Sequence, residues 1–124
     1  EQKLIDLLKS SNLKYPYIVL AQAKIESGNY TSVIFKENNN LFGMKLARLR
    51  PTTLIGENKG HAVYTTWKES VYDYCLYQSS FNFKTEDEYY HILYNYAQDS
   101  TYVNYIKDIV NKEKLKLKFE NYDR

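Results

Sequence analysis

Apolar residues in this chain return at helical spacing in short runs, and each run is cut off by a cap or a breaker. That feature limits the fold to small packed helices. Leu4, Ile5, Leu7 and Leu8 form a first stripe, ended by Ser10-Ser11-Asn12. Tyr15-Pro16 opens a second helix, with proline in the first turn, where a missing N–H costs nothing. It runs through Ile18, Val19, Leu20, Ala21, Ala23 and Ile25 and stops at Gly28. Two Thr-x-x-Glu boxes, Thr66 to Glu69 and Thr85 to Glu88, start helices reaching about Ser79 and Ala97. Asp99, Ser100 or Thr101 caps a last helix from about Tyr102 to Lys112.

Residues 29 to 51 read as irregular, with turn chemistry at Asn38-Asn39-Asn40 and backbone freedom at Gly43. Thr52 to Ile55 and His61 to Tyr64 favour β structure, so a small hairpin with a five-residue loop over 56 to 60 is expected. Five helices and one hairpin make an α+β fold, mainly α. The 124 residues suit a single domain spanning 1 to 124. The chain begins at Glu1 and shows no signal segment, which suggests an excised or processed piece of a longer parent.

Composition excludes several functions. The net charge of +2 is too balanced to point to nucleic acid. No apolar run approaches the ~20 residues of a membrane span. Lys112 to Lys118 is a basic run, which suits a solvated face or contact with an anionic wall. Cys75 is the single cysteine and reads as a small buried apolar residue. With only His61 and His91 beside it, neither a cysteine protease nor a zinc site is expected, and no metal or organic cofactor is called for. The 14 tyrosines suit half-wet grooves for ring-shaped polar ligands, but compositional drift is the preferred reading of the set.

Glu26 is the first candidate for chemistry. At the last turn of an apolar helix, both the helix dipole and apolar neighbours disfavour its ionisation, as a general acid requires. From spacing alone, a solvent-facing glutamate at a helix end is the better reading. Ser27 and Gly28 end the helix sharply and let Glu26 project into a cleft. Asn40 can donate to and accept from a sugar, or serve a turn. Phe42 and Tyr64 can offer flat faces to sugar rings, or pack in the core. Tyr96 is a core residue by helical spacing alone.

Four segments together carry a resemblance. Ala21 to Gly28 resembles the Ala-Gln-x-x-x-Glu-Ser-Gly signature of the glucosaminidase family of peptidoglycan hydrolases, glycoside hydrolase family seventy-three. Asn39-Asn40-Leu41-Phe42-Gly43-Met44-Lys45, Val63 to Asp73 and Tyr96 to Tyr102 are similar to later segments of that family, in the same order. The resemblance implies a lysozyme-like helical domain that cuts the β-1,4 bond between N-acetylglucosamine and N-acetylmuramic acid, with Glu26 as catalytic acid. It implies Tyr96 as an active-site tyrosine orienting the N-acetyl group or water; Ser27, Asn40, Phe42 and Tyr64 are the substrate-binding candidates that residue chemistry adds. Many members carry a second acid on the hairpin. Here Thr53-Leu54-Ile55 stands in that place, and Glu57 in the expected loop is the nearest carboxylate. The second group is therefore either Glu57 as base or the substrate's own N-acetyl oxygen, which is the expectation preferred here.

The implied partner is peptidoglycan glycan strands, bound by a monomer at the bacterial cell wall. The parent can be periplasmic or secreted, an autolysin or endolysin, or part of a bacteriophage. A lytic transglycosylase and a non-catalytic wall-binding or phage structural domain are the alternatives.

Overall fold

The computed structural model describes residues 1–97 and 101–120. In these, helices α1 (Gln2–Ser10), α2 (Pro16–Glu26) and α3 (Val33–Asn38) precede a hairpin of β1 (Gly56–Asn58) and β2 (His61–Val63). Helices α4 (Trp67–Ser79), α5 (Glu86–Tyr94) and α6 (Tyr102–Lys112) follow, with a closing 3-10 turn over Leu115–Phe119. The fold is mainly helical α+β.

Helix α2 is the centre. Ile18, Val19, Leu20, Ala21 and Ala23 are all fully enclosed, so it is apolar on every side, as a core helix must be. It packs against α1, α6 and the closing turn. One apolar cluster runs from Leu4 through α2, Leu41, Phe42, α4 and α5 to Ile106 and Phe119. Among the described residues, no helix is long and apolar enough to cross a membrane.

Several local expectations are corrected. Helix α3 lies in the stretch read as irregular. Its six residues are too few to show a period, and the Ser32 hydroxyl caps it by accepting from Phe35 N at 3.1 Å. The hairpin has a two-residue turn, because Lys59 (φ 56°) and Gly60 (φ 77°) both take the left-handed conformation that matches strand twist. Gly56-Glu57-Asn58 therefore forms the first strand, paired Gly56 with Val63, Glu57 with Ala62 and Asn58 with His61. The Thr85 hydroxyl accepts from Glu88 N at 3.1 Å, but Glu88 reaches back to Lys84 N, and Thr66 caps α4 without a side-chain bond. Helix α5 stops at Tyr94, so Tyr96 stands in the turn beyond it. Asp99 and Ser100, the other expected caps of the last helix, lie outside the described residues; the observed N-cap is Thr101. Cys75 is only partly buried, against the core.

Candidate active site

The last turn of α2 ends where Gly28 takes φ 56° and Asn29 N closes on Lys24 O at 2.7 Å. Glu26 leaves this turn into a cleft of about 500 Å³ shared with Gly43, Lys45, Arg50, His61, Tyr77 and Tyr96. Gly43, at φ 61°, lies so close that a Cβ there would sit 3.1 Å from Glu26 Oε1. The backbone freedom expected of Gly43 is used here, and its missing side chain leaves room for the carboxylate. Among the described residues Glu26 is the only carboxylate in the cleft lining.

Burial raises the Glu26 pKa, and this outweighs a hydrogen bond from the Tyr102 hydroxyl and the charge of His61, which both lower it. Tyr102 in turn accepts from Gln22 Nε2 at 3.0 Å. Gln22 Oε1 accepts from the Tyr74 hydroxyl, and Tyr74 meets the Tyr89 hydroxyl. A buried polar chain thus runs Tyr89–Tyr74–Gln22–Tyr102–Glu26. It explains why a glutamine stands fully buried in the apolar helix α2. It also places Tyr74, Tyr89 and Tyr102 in the core, where a wet groove was one expectation.

The sequence-derived sugar contacts fall mostly inside the protein. Ser27 is fully buried, and its hydroxyl accepts from Tyr30 N at 2.9 Å. Phe42 is fully buried against Tyr74, with ring centroids 4.5 Å apart. Tyr64 is buried and donates to Asp73 Oδ2. Asn40 is 1% exposed; its Nδ2 donates to Met44 O (2.9 Å) and Ala62 O (3.0 Å), and its Oδ1 accepts from Met44 N (3.0 Å). All four are enclosed, the polar side chains of Ser27, Asn40 and Tyr64 are bonded inside the protein, and none of the four belongs to the cleft lining.

Tyr96 does line the cleft. Its hydroxyl donates to Phe42 O at 2.7 Å, tying the Gly43 loop to the turn after α5. Burial lifts its pKa well above the usual tyrosine range. Glu57 is exposed on β1, accepts from Gly60 N at 2.8 Å and is not part of the cleft lining. The expected mobile loop acid is thus a strand residue bound to its own turn.

Sequence reasoning missed three cleft features. The sequence offers His61 only as a metal or protease partner, yet it lines the cleft, with Nδ1 2.9 Å from Lys59 O. A carbonyl only accepts, so Nδ1 carries a proton. Arg50 reaches buried Asp73 at 2.6 Å across 23 residues, and Tyr102 meets Gln22 across 80. No local pattern signals such pairs. A larger hollow of about 720 Å³ lies beside Lys14, Tyr17, Lys84 and Lys116. Its lining carries one carboxylate, the exposed Glu120, whereas the smaller cleft encloses Glu26 and is the better candidate for acid catalysis. Among the described residues, no three His, Cys, Asp or Glu side chains gather as metal ligands would.

The glucosaminidase model, described as mannosyl-glycoprotein endo-β-N-acetylglucosaminidase, matches residues 2–115. The chain is also similar to protein Bax of Escherichia coli (strain K12), 44% identical over 57 residues. That match covers 46% of this chain and 21% of Bax, so it spans about a fifth of the relative's length. No solved structure matches.

Proposed function

Because this chain belongs to the glucosaminidase family, we propose that it hydrolyses the β-1,4 bond between N-acetylglucosamine and N-acetylmuramic acid in peptidoglycan at the bacterial cell wall. The observation that carries this reading is Glu26, the only cleft carboxylate among the described residues, whose burial favours its neutral form. A neutral carboxyl can give its proton to the glycosidic oxygen as the bond to the anomeric carbon breaks. Among the described residues Glu57 lies off the cleft and no second carboxylate lines it, which supports a reading that needs one protein acid. The carbonyl oxygen of the substrate's 2-acetamido group then attacks the anomeric carbon and forms a cyclic oxazolinium. Water opens that ring, the Glu26 carboxylate takes the water's proton, and the product keeps its anomeric configuration.

Mass spectrometry of digested peptidoglycan tests this directly. The expected fragments end in a reducing N-acetylglucosamine. Reducing muramic acid ends would reassign the bond that is cut. Anhydro ends would make the protein a lytic transglycosylase, which also needs only one acid. The Glu26→Gln variant should lose ~10²–10⁴-fold in rate while staying folded and wall-bound. A variant that keeps most of the wild-type rate removes Glu26 from the chemistry.

A further inference from the structure

Arg50 stands in the cleft wall with more hydrogen-bonding capacity than the fold consumes. Its side chain is 16% exposed, and the Asp73 carboxylate behind it is fully buried. Both described bonds leave from Nη1, to Pro51 O at 2.9 Å and to Asp73 Oδ1 at 2.6 Å. A guanidinium carries five N–H donors in a planar fork, so those of Nε and Nη2 are left for something else. Asp73 has no spare capacity to roam, because its other oxygen holds the Tyr64 hydroxyl. The Tyr77 ring flanks the guanidinium carbon at 5.9 Å. The fork is therefore held in place before any ligand arrives, which lowers the entropy cost of binding.

An ion pair taken out of water is a poor way to stabilise a fold, since a well-packed apolar pair serves as well or better. This pair is set in the wall of the cleft that holds the catalytic acid. Lys45 and His61 share that wall, and among the described residues Glu26 is the only carboxylate in it, with burial working against its charged form. A planar fork with free donors matches a carboxylate or a phosphate, and a muramic acid unit carries the former.

On the reading of this cleft as a peptidoglycan site, we propose that Arg50, buttressed by Asp73, binds a carboxylate carried by the muramic acid unit of the substrate. Polymers of N-acetylglucosamine alone carry no such group. Peptidoglycan offers it in two places: the lactyl ether once its peptide is removed, and the free carboxyls of an attached peptide. Arg50 thereby becomes a specificity residue, separating wall glycan from uncharged glycan.

The test uses the Glu26→Gln protein, so that ligands bind without turnover. Dissociation constants are measured by NMR titration for a muramic-acid-containing disaccharide with a free lactyl carboxylate and for the same sugar capped as a methylamide. A second pair compares a disaccharide-peptide with free carboxyls to its fully amidated form. In at least one pair the acid should bind about tenfold tighter; which pair responds identifies the source of the carboxylate. That ratio should fall to near one in Arg50→Gln. It should also do so in the paired variant Arg50→Gln/Asp73→Asn, which leaves no unpaired buried charge if the single variant folds poorly. The ratio is independent of the fraction folded. Equal affinity for acid and capped ligand in both pairs overturns the proposal. So does a dissociation constant above about 10 mM for every acid, or an acid preference that survives loss of Arg50. The catalytic reading fails separately: an Arg50-dependent preference in a protein that, with Glu26 intact, cuts no peptidoglycan would leave the binding site standing and remove only the enzyme.

Discussion

Replacing Asn40 by alanine separates a sugar contact from a structural tie. The Asn40 amide makes three bonds of 2.9–3.0 Å inside the protein, to Met44 O, Ala62 O and Met44 N. At ~1 kcal/mol net each, their loss costs about 3 kcal/mol. Met44 O keeps the bond from Ala62 N at 2.9 Å, but the Met44 amide loses the side-chain acceptor that the fold gives it. An orphaned buried amide adds to the cost, so about 3–4 kcal/mol is expected. A domain of this length holds roughly 6–18 kcal/mol, so the variant should fold. Urea denaturation should show the loss in midpoint with an unchanged slope, and the melting temperature should fall by roughly 10 °C. Activity at 25 °C should fall mainly through kcat, because Gly43, which packs on Glu26, sits in the segment that Asn40 ties down. Asn40→Asp should fare no better at neutral pH, since it sets a carboxylate against two carbonyl oxygens. A stability change below about 1 kcal/mol together with a tenfold rise in KM would refute the reasoning and make Asn40 a sugar contact.

Tyr102→Phe removes the bond that lowers the Glu26 pKa, so that pKa should rise. The acid is active while protonated, so the alkaline limb of kcat/KM should move to higher pH; a limb that stays or moves down contradicts the hydroxyl's assigned effect. Gly43→Ala places a methyl 3.1 Å from Glu26 Oε1 in a left-handed backbone. It should cost about 1–2 kcal/mol of stability and lower kcat at least tenfold (~1.4 kcal/mol), and an unchanged kcat would mean that the loop yields. Glu57→Gln should change kcat less than about twofold. A near-dead Glu57→Gln enzyme that inverts its product would instead restore a two-carboxylate mechanism.

Local chemistry made part of this fold readable. Pro16 and Gly28 bracket α2 because their backbone preferences act within one turn. Thr85 marks the start of α5 for the same reason. Gly43 was legible as a point of close packing, and the order of the four family-like segments led to Glu26. Short elements were not legible: α3 is less than two turns, and the hairpin register turned on Lys59 accepting a conformation that its residue type disfavours. Phe42, Tyr64, Asn40 and Ser27 show the deeper boundary. Each has chemistry suited to a sugar, and that chemistry is unchanged when the residue is buried. Only packing decided that Asn40 would face Met44 and Ala62, that Asp73 would lie beneath Arg50, and that Gln22 would hold Tyr102 against Glu26. The reason is physical. Caps, turns and helix stops are settled among neighbours in the chain, whereas burial and long-range polar partners depend on where distant elements come to rest.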